Sequence, residues 1–254
     1  MKFDEKLKQK YLYSKGLNFI KIIYFFIQKL KSFRKVKKSY SSSSQDLIID
    51  HFFRNVKNGI YIDVGCYHPY IGNNTKLLYD KGWSGINIDL DFHTIDFFNY
   101  ARRRDENIEI AISDSEEEKN LYFHHNRSSI NSLDNIWANK AKEIRKIKTS
   151  KLDTVVQNSR FKDKKINLLC IDVEGHELEV IKSFDLSKYK PDMIILEFID
   201  KDMQEIEFYN QNIEKILNLD IYKLLKEKKY HFVNWLGSDL VFVHNDKRSN
   251  INNL

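Results

Sequence analysis

Between residues 47 and 244, short apolar runs alternate with helix-like amphipathic stretches, and that alternation leaves the chain few architectures to adopt. The segments "GIYIDVG" (59–65), "SGINIDL" (84–90), "NIEIAIS" (107–113), "INLLCIDVEG" (166–175) and "DMIILEF" (192–198) read as strands, most of them apolar on both faces. Helical patterns fill 73–82, 93–104 and 176–184, and a long one runs over 203–228. "YHFVNW" and "DLVFVH" then close the pattern as an antiparallel pair. The less regular region 114–150 reads as a strand and a loop, followed by a charged stretch expected to be helical. Apolar strands separated by helices require a mostly parallel sheet with helices on both faces, an α/β fold. With only 8 Gly and 2 Pro in 254 residues, a many-turned β-sandwich is disfavoured.

Parallel sheets take ligands at the carboxyl ends of their strands. Here those ends carry Asp63, Asp89, Ser113 with Asp114, Asp172 and Glu197, an acid at every edge. Such a set suits hydroxyls, amines or a cation and suits phosphates poorly. The turn after the first strand, "IYIDVGCYHPYIGNNTK" (60–76), has glycines only at 65 and 72, no G-x-G-x-x-G and no phosphate-binding lysine. His68-Pro69 stands where a further glycine would be expected. Asp89 follows Gly65 by 24 residues, near the spacing of about 20 at which an acid meets ribose hydroxyls. Asp91 competes for that role. The loop fits a cofactor with a zwitterionic end, its amine toward Asp63 and its carboxylate toward backbone N–H groups at the helix start. S-adenosylmethionine has that shape, while a nicotinamide nucleotide stays open on spacing alone.

The stretch "LLCIDVEGHELEVIKSF" resembles the signature of the FkbM-type methyltransferase family, with Asp172, Glu174, Gly175 and Glu177 on its pattern. "YIDVG", the Asn-Thr of "GNNTKLLYDKGWSGINID", "IAISD", "LDTVV", "PDMIILEF" and "DLVFV" follow in the family's order, so the resemblance spans roughly residues 47–244. It implies a Rossmann-like class I methyltransferase fold, a seven-stranded sheet with its last strand antiparallel, and S-adenosylmethionine as methyl donor. It implies O-methylation of sugars, polyketides or related hydroxylated metabolites, with a nucleotide-activated sugar for surface polysaccharide as one acceptor. By the same resemblance Asp63, Gly65 and Cys66 line the methionine end, with Asn74 and Thr75 beside them. Asp89 takes the ribose, Ser113 and Asp114 flank the adenine, and Asp172 stands beneath the sulfonium. His68-Pro69 departs from the family pattern.

Removing a hydroxyl proton calls for a base stronger than a carboxylate in water, so burial or a metal is needed. Asp172 is the candidate base, with Glu174 or His176 as alternates. Asp172 and Glu197 together offer oxygen ligands to a divalent cation such as Mg2+. "FHHNRSS" (123–129) is the candidate acceptor-side loop, its His124 and His125 able to act as bases and Arg127 able to hold a phosphate.

Residues 1–40 carry twelve Lys/Arg against two acids, so the net charge of +6 belongs to that end and the remainder is acidic. Within it, "LNFIKIIYFFIQKLKSFRKVKK" (17–38) has a helical apolar stripe followed by a cationic run. Its longest uncharged piece is seven residues, far short of the roughly 20 that span a bilayer. The stripe suits packing on its own chain or on a second copy, or peripheral contact with an anionic inner membrane face. "SYSSSSQ" (39–45) reads as a flexible linker, dividing a basic extension (1–45) from a catalytic domain (46–254). Cys66 and Cys170 give no disulfide framework, so a cytoplasmic setting is expected. The basic arm keeps a nucleic-acid methyltransferase as an alternative, but no Asn/Asp-Pro-Pro-aromatic motif supports it and no nucleic-acid partner is expected. A binding module without catalysis is the remaining alternative.

Overall fold

The computed structural model describes residues 39–125, 128–199 and 211–248, together with Phe19 and Ile23. The chain divides into two units, Met1–Ser39 and Tyr40–Leu254. Apart from Phe19 and Ile23, the expected amphipathic helix of 17–38 lies outside the described residues. No helix among the described residues is long and apolar enough to cross a membrane.

The second unit holds α1 (Gln45–Phe52), β1 (Ile60–Val64), α2 (Lys76–Asp80), β2 (Ser84–Asp89), α3 (Phe92–Ala101), β3 (Glu106–Glu109), β4 (Ala111–Ile112), β5 (Glu118–Phe123) and β6 (Glu143–Ser150). It continues with α4 (Leu152–Asn158), β7 (Ile166–Ile171), α5 (Glu177–Lys182), α6 (Leu186–Tyr189), β8 (Met193–Glu197), α7 (Ile213–Asn218), α8 (Asp220–Glu227), β9 (Tyr230–Leu236) and β10 (Asp239–His244).

Seven strands form one sheet in the order β3-β2-β1-β7-β8-β10-β9. The neighbours from β3 to β8 pair in parallel, and only β10, the last strand, runs antiparallel to both of its neighbours. This is a Rossmann-like seven-stranded sheet with its last strand antiparallel, as the resemblance implies. The central strands β1, β7 and β8 are largely apolar because both faces are covered. Ile62, Ile88, Leu169 and Ile194 belong to the core on one side, while Tyr61, Leu168, Met193 and Ile195 belong to the core on the other. The direction of winding reverses between β1 and β7, which opens a crevice at their carboxyl ends.

Three local expectations need correction. The run 107–113 is not one strand: Ile110 turns its N–H to the Asp89 carbonyl at 3.0 Å, and β4 leaves the main sheet. It pairs instead with β6 in a small sheet of order β4-β6-β5. The charged stretch before residue 150 is therefore strand β6 and not a helix. Its "IRKIKTS" places β-branched residues within a hairpin with β5, and pairing overrides charge-rich composition. The helical pattern at 203–228 is broken, in its described part, at Leu219, whose backbone is extended at φ −65° and ψ 140°.

The serine run is also less free than a linker. Tyr40 N–H donates to Asp46 Oδ2 at 2.7 Å, Ser41 Oγ accepts from Asp46 N at 3.0 Å, and the Tyr40 carbonyl accepts from Asn73 N at 3.0 Å. Asp46 is fully buried by these contacts.

Candidate functional site

A cleft of about 250 Å³ lies over the carboxyl ends of β1, β2 and β7. Gly65, Asp89, Asp172, Glu174 and His176 line it. So do Ser128, Ser129, Asn131 and Ser132, from the loop after β5, and the apolar Ile88, Leu90, Ile110 and Ile112.

Gly65 makes this convergence possible. It adopts φ +78°, donates to the Ile88 carbonyl at 2.8 Å, and a Cβ there would lie 1.7 Å from the Asp172 carbonyl oxygen. The turn after β1 thus rests on the backbone after β7 with no room for a side chain. Gly65→Ala is expected to destabilise the protein by about 3 kcal/mol or more, through overpacking added to a left-handed Ala. Urea denaturation measures it, and a loss below about 1 kcal/mol would show that the two turns separate easily.

At the next edge, Asp89 accepts from Tyr67 N at 3.0 Å and from Asp91 N at 2.8 Å. Burial pushes its carboxyl up to about 6, against the pull of those two hydrogen bonds. Asp91 also lines the cleft, but its Oδ1 accepts from His93 N at 2.9 Å and so caps α3.

The deepest feature is a group of acids. Among the described residues, Asp172, Glu174 and Glu197 bring carboxylate oxygens within 4.8 Å of one another. Asp172 is open to the cleft yet lies deep in its floor. Burial raises its pKa well above the carboxylate range, and the charges of Asp239, Glu174 and Glu177 add to the rise. Burial likewise raises Glu197, next to Asp172 and Glu174. The two side chains hydrogen-bond, so that they titrate as a pair, with burial raising both.

The loop between β7 and α5 is shaped to present these groups. Glu174 sits at φ +58° and Gly175 at φ +102°. A left-handed non-glycine residue costs about 1 kcal/mol and persists only where its surroundings hold it. Here Glu177 Oε1 accepts from Val173 N at 3.0 Å and Gly175 N at 3.1 Å, and Ser132 Oγ donates to the Glu174 carbonyl at 2.8 Å. Burial lifts Glu177 to about 7. His176 Nε2 lies 2.9 Å from Ser113 Oγ, and burial lowers its pKa, favouring the neutral ring.

Of the residues singled out in the sequence, the cleft lining includes Gly65, Asp89, Asp172, Glu174 and His176 and leaves out Asp63, Cys66, Asn74, Thr75, Ser113, Asp114 and Glu197. Asp63 is 6% exposed beneath the β1 turn. Its Oδ2 accepts from Thr75 Oγ1 at 2.9 Å and Asn73 Nδ2 at 3.2 Å, while burial raises it to about 6. Cys66 packs with Ile95 and Phe98, and Asn74 reaches Asp239 Oδ2 at 3.4 Å. Asp114 faces outward to Lys119 at 3.3 Å. His124 is buried, and Arg127 lies outside the described residues.

Two residue roles are not legible in the sequence. His68-Pro69 braces its loop: His68 Nδ1 accepts from Tyr70 N and Ile71 N at 3.1 and 3.0 Å, and the Pro69 carbonyl accepts from Arg102 Nε at 3.3 Å. Arg102 itself, one of three consecutive arginines, is fully buried beneath the β1 turn. A solvated charge at a helix end and a buried one look alike in the sequence.

Residues 63–232 match a family model described as the methyltransferase FkbM domain. No protein of curated function matches the sequence. Among solved structures, a TehB-like SAM-dependent methyltransferase from Corynebacterium glutamicum is similar with 9% identity and a TM-score of 0.41, over 87% of this chain and 97% of that one. A candidate caffeoyl-CoA O-methyltransferase from Staphylococcus aureus is similar with 12% identity and a TM-score of 0.41, over 94% and 96%.

Proposed function

Because this chain belongs to the FkbM methyltransferase family, we propose that it methylates a hydroxyl oxygen of a sugar or sugar-containing metabolite. The observation that carries the proposal is Asp172, a carboxylate deep in the cleft floor whose proton affinity is raised by burial and by the acids around it. Such a group is a stronger base than a carboxylate in water.

S-adenosylmethionine, the family's methyl donor, supplies a methyl group bonded to a positively charged sulfur. The residues of the cleft fit it. Asp89 stands where ribose hydroxyls need an acceptor, Gly65 clears the β1 turn of side chain, and Ile88, Leu90, Ile110 and Ile112 offer an apolar face to a base. The described residues lining the cleft include no Lys or Arg, which disfavours a pyrophosphate such as that of a nicotinamide dinucleotide. Asp172 is assigned the acceptor oxygen and its proton, and Glu197, hydrogen-bonded to it, supports it. Orienting that oxygen accounts for much of what the protein must contribute. His176, held by Ser113, borders the same space as an alternate base.

Asp172, Glu174 and Glu197 also suit a divalent cation, being hard oxygen donors close together. These three residues would hold such a cation, whose Lewis acidity would lower the basicity needed at the acceptor oxygen. Incubation with S-adenosylmethionine and a panel of sugars and nucleotide sugars, with and without chelator, tests both points. S-adenosylhomocysteine formed with a sugar is expected. Loss of product on chelation would give the acids a ligand role, and no product across sugars, lipids and small alcohols would overturn the proposal.

A further inference from the structure

A second cavity, of about 240 Å³, lies on the other side of the acid group. Asp172 and Glu174 line the first cleft, whereas Glu197 lines the second, and the three side chains bring oxygens within 4.8 Å of one another. The two cavities therefore approach each other at these carboxylates. Phe198, Leu219, Ile221, Ile136 and Leu196 give the second cavity its apolar wall. Its acidic side chains are Asp134, Glu177, Glu197 and Asp220, with no Lys or Arg among the described residues that line it.

We infer that this second cavity seats the acceptor, and that it selects an uncharged hydroxylated molecule over one bearing phosphate. The inference rests on the methyltransferase proposal above and adds a place and a chemical class to it. A donor in the first cleft and an acceptor in the second meet at the carboxylates, where the acceptor hydroxyl must lose its proton. Among the described residues Glu197 Oε2 is buried without a hydrogen-bond partner, a state that a hydroxyl donor would relieve. Phe198 offers a ring face or edge to the body of the molecule and is itself fixed edge-on to Trp235, with centroids 5.6 Å apart.

The acids supply discrimination. Asp134 Oδ1 caps the turn at Ile136 N (2.9 Å), and Glu177 holds the loop at Val173 and Gly175, so both are fixed in place. Asp220 stands at the exposed rim, where Lys223 pairs with it at 3.1 Å. A phosphate entering past these groups meets acids, and no Lys or Arg among the described lining residues receives it.

The test measures binding of neutral monosaccharides and their matched phosphates to the full chain saturated with S-adenosylhomocysteine. A neutral sugar is expected to bind at least about tenfold more tightly than its phosphate, equivalent to about 1.4 kcal/mol. Phe198→Ala should weaken the neutral sugar by about tenfold and leave S-adenosylhomocysteine affinity unchanged. Asp220→Asn, on an exposed side chain that does not threaten folding, should narrow the neutral-to-phosphate ratio. Equal or tighter binding of the phosphates would overturn the inference. So would S-adenosylhomocysteine binding without any hydroxylated probe, or probe binding indifferent to both substitutions. Failure of S-adenosylhomocysteine itself to bind would strike the methyltransferase proposal instead.

Discussion

Asp172→Asn is expected to lower methyl transfer by about 10²–10⁴-fold, the range for a lost general base, while raising the melting temperature at alkaline pH. The two effects share one cause. In the unfolded chain Asp172 titrates near the ordinary aspartate value, and in the folded protein burial and the charges of Asp239, Glu174 and Glu177 lift it well above. A raised folded pKa means that the folded state holds a proton the unfolded state has released. The associated stability is complete below the unfolded pKa and is lost as pH climbs through the folded one. Glu197, raised alongside Asp172, behaves in the same direction. Asparagine keeps the shape, removes one charge from the group and has no proton to give up. The variant should therefore melt above wild type at pH 8, with the difference shrinking toward pH 5. Activity on the acceptor found in the sugar panel, and thermal melts at both pH values, check the two halves. Wild-type turnover would remove Asp172 from the chemistry. A variant less stable than wild type at pH 8 would mean that its carboxylate is held by favourable contacts and not opposed by its neighbours.

Strand and helix placement was legible in the sequence wherever burial covers both faces of an element. "GIYIDVG", "INLLCIDVEG" and "DMIILEF" became β1, β7 and β8 because a run apolar at every position has few alternatives to the middle of a parallel sheet. The small sheet was less legible. Only a few positions of β6 are shielded, so its residues carry the composition of a surface and its pairing with β4 and β5 depends on distant chain. The site divides along a similar line. Asp89 and Asp172 could be found because strand ends project into the crevice by topology, whereas Glu174 was found only through the family resemblance. Asp63 illustrates the limit: one residue before the end of β1, it turns down to Thr75 and Asn73 instead of up into the cleft. Alternation along a strand decides which way a side chain faces, and a one-residue difference in where the strand ends reverses it.

Arg102→Met is expected to destabilise the protein by about 3–5 kcal/mol, the usual result of removing one member of a buried charge network. The Arg102 side chain is wholly buried, as is that of Asp105, 3.9 Å away. Its Nη1 donates to Tyr61 Oη at 3.2 Å and its Nη2 to Asn73 Oδ1 at 2.6 Å, while Nε reaches the Pro69 carbonyl at 3.3 Å. The guanidinium also lies over the Tyr79 ring, 4.8 Å from its centroid. Methionine would fill much of the volume but leave Asp105 a buried acid deprived of its cation, still bonded to Tyr61 Oη at 2.6 Å and Gly85 N at 2.9 Å. Asn73 and Pro69 belong to the loop that carries Tyr67 and Gly72 to the cleft, so the loss would spread from stability to ligand binding. Lysine should rescue little, because a single ammonium cannot replace a planar fork that meets the Tyr61 hydroxyl, the Asn73 amide and the Pro69 carbonyl at once. The double variant Arg102→Met, Asp105→Asn separates the contributions. If the unpaired carboxylate causes most of the damage, neutralising it should recover a large part of the stability lost by Arg102→Met alone. Urea denaturation of the three variants measures this, with S-adenosylhomocysteine affinity reporting on the loop. A loss below about 1 kcal/mol in Arg102→Met would mean that water reaches the guanidinium and that the β1 turn is held by its own hydrogen bonds.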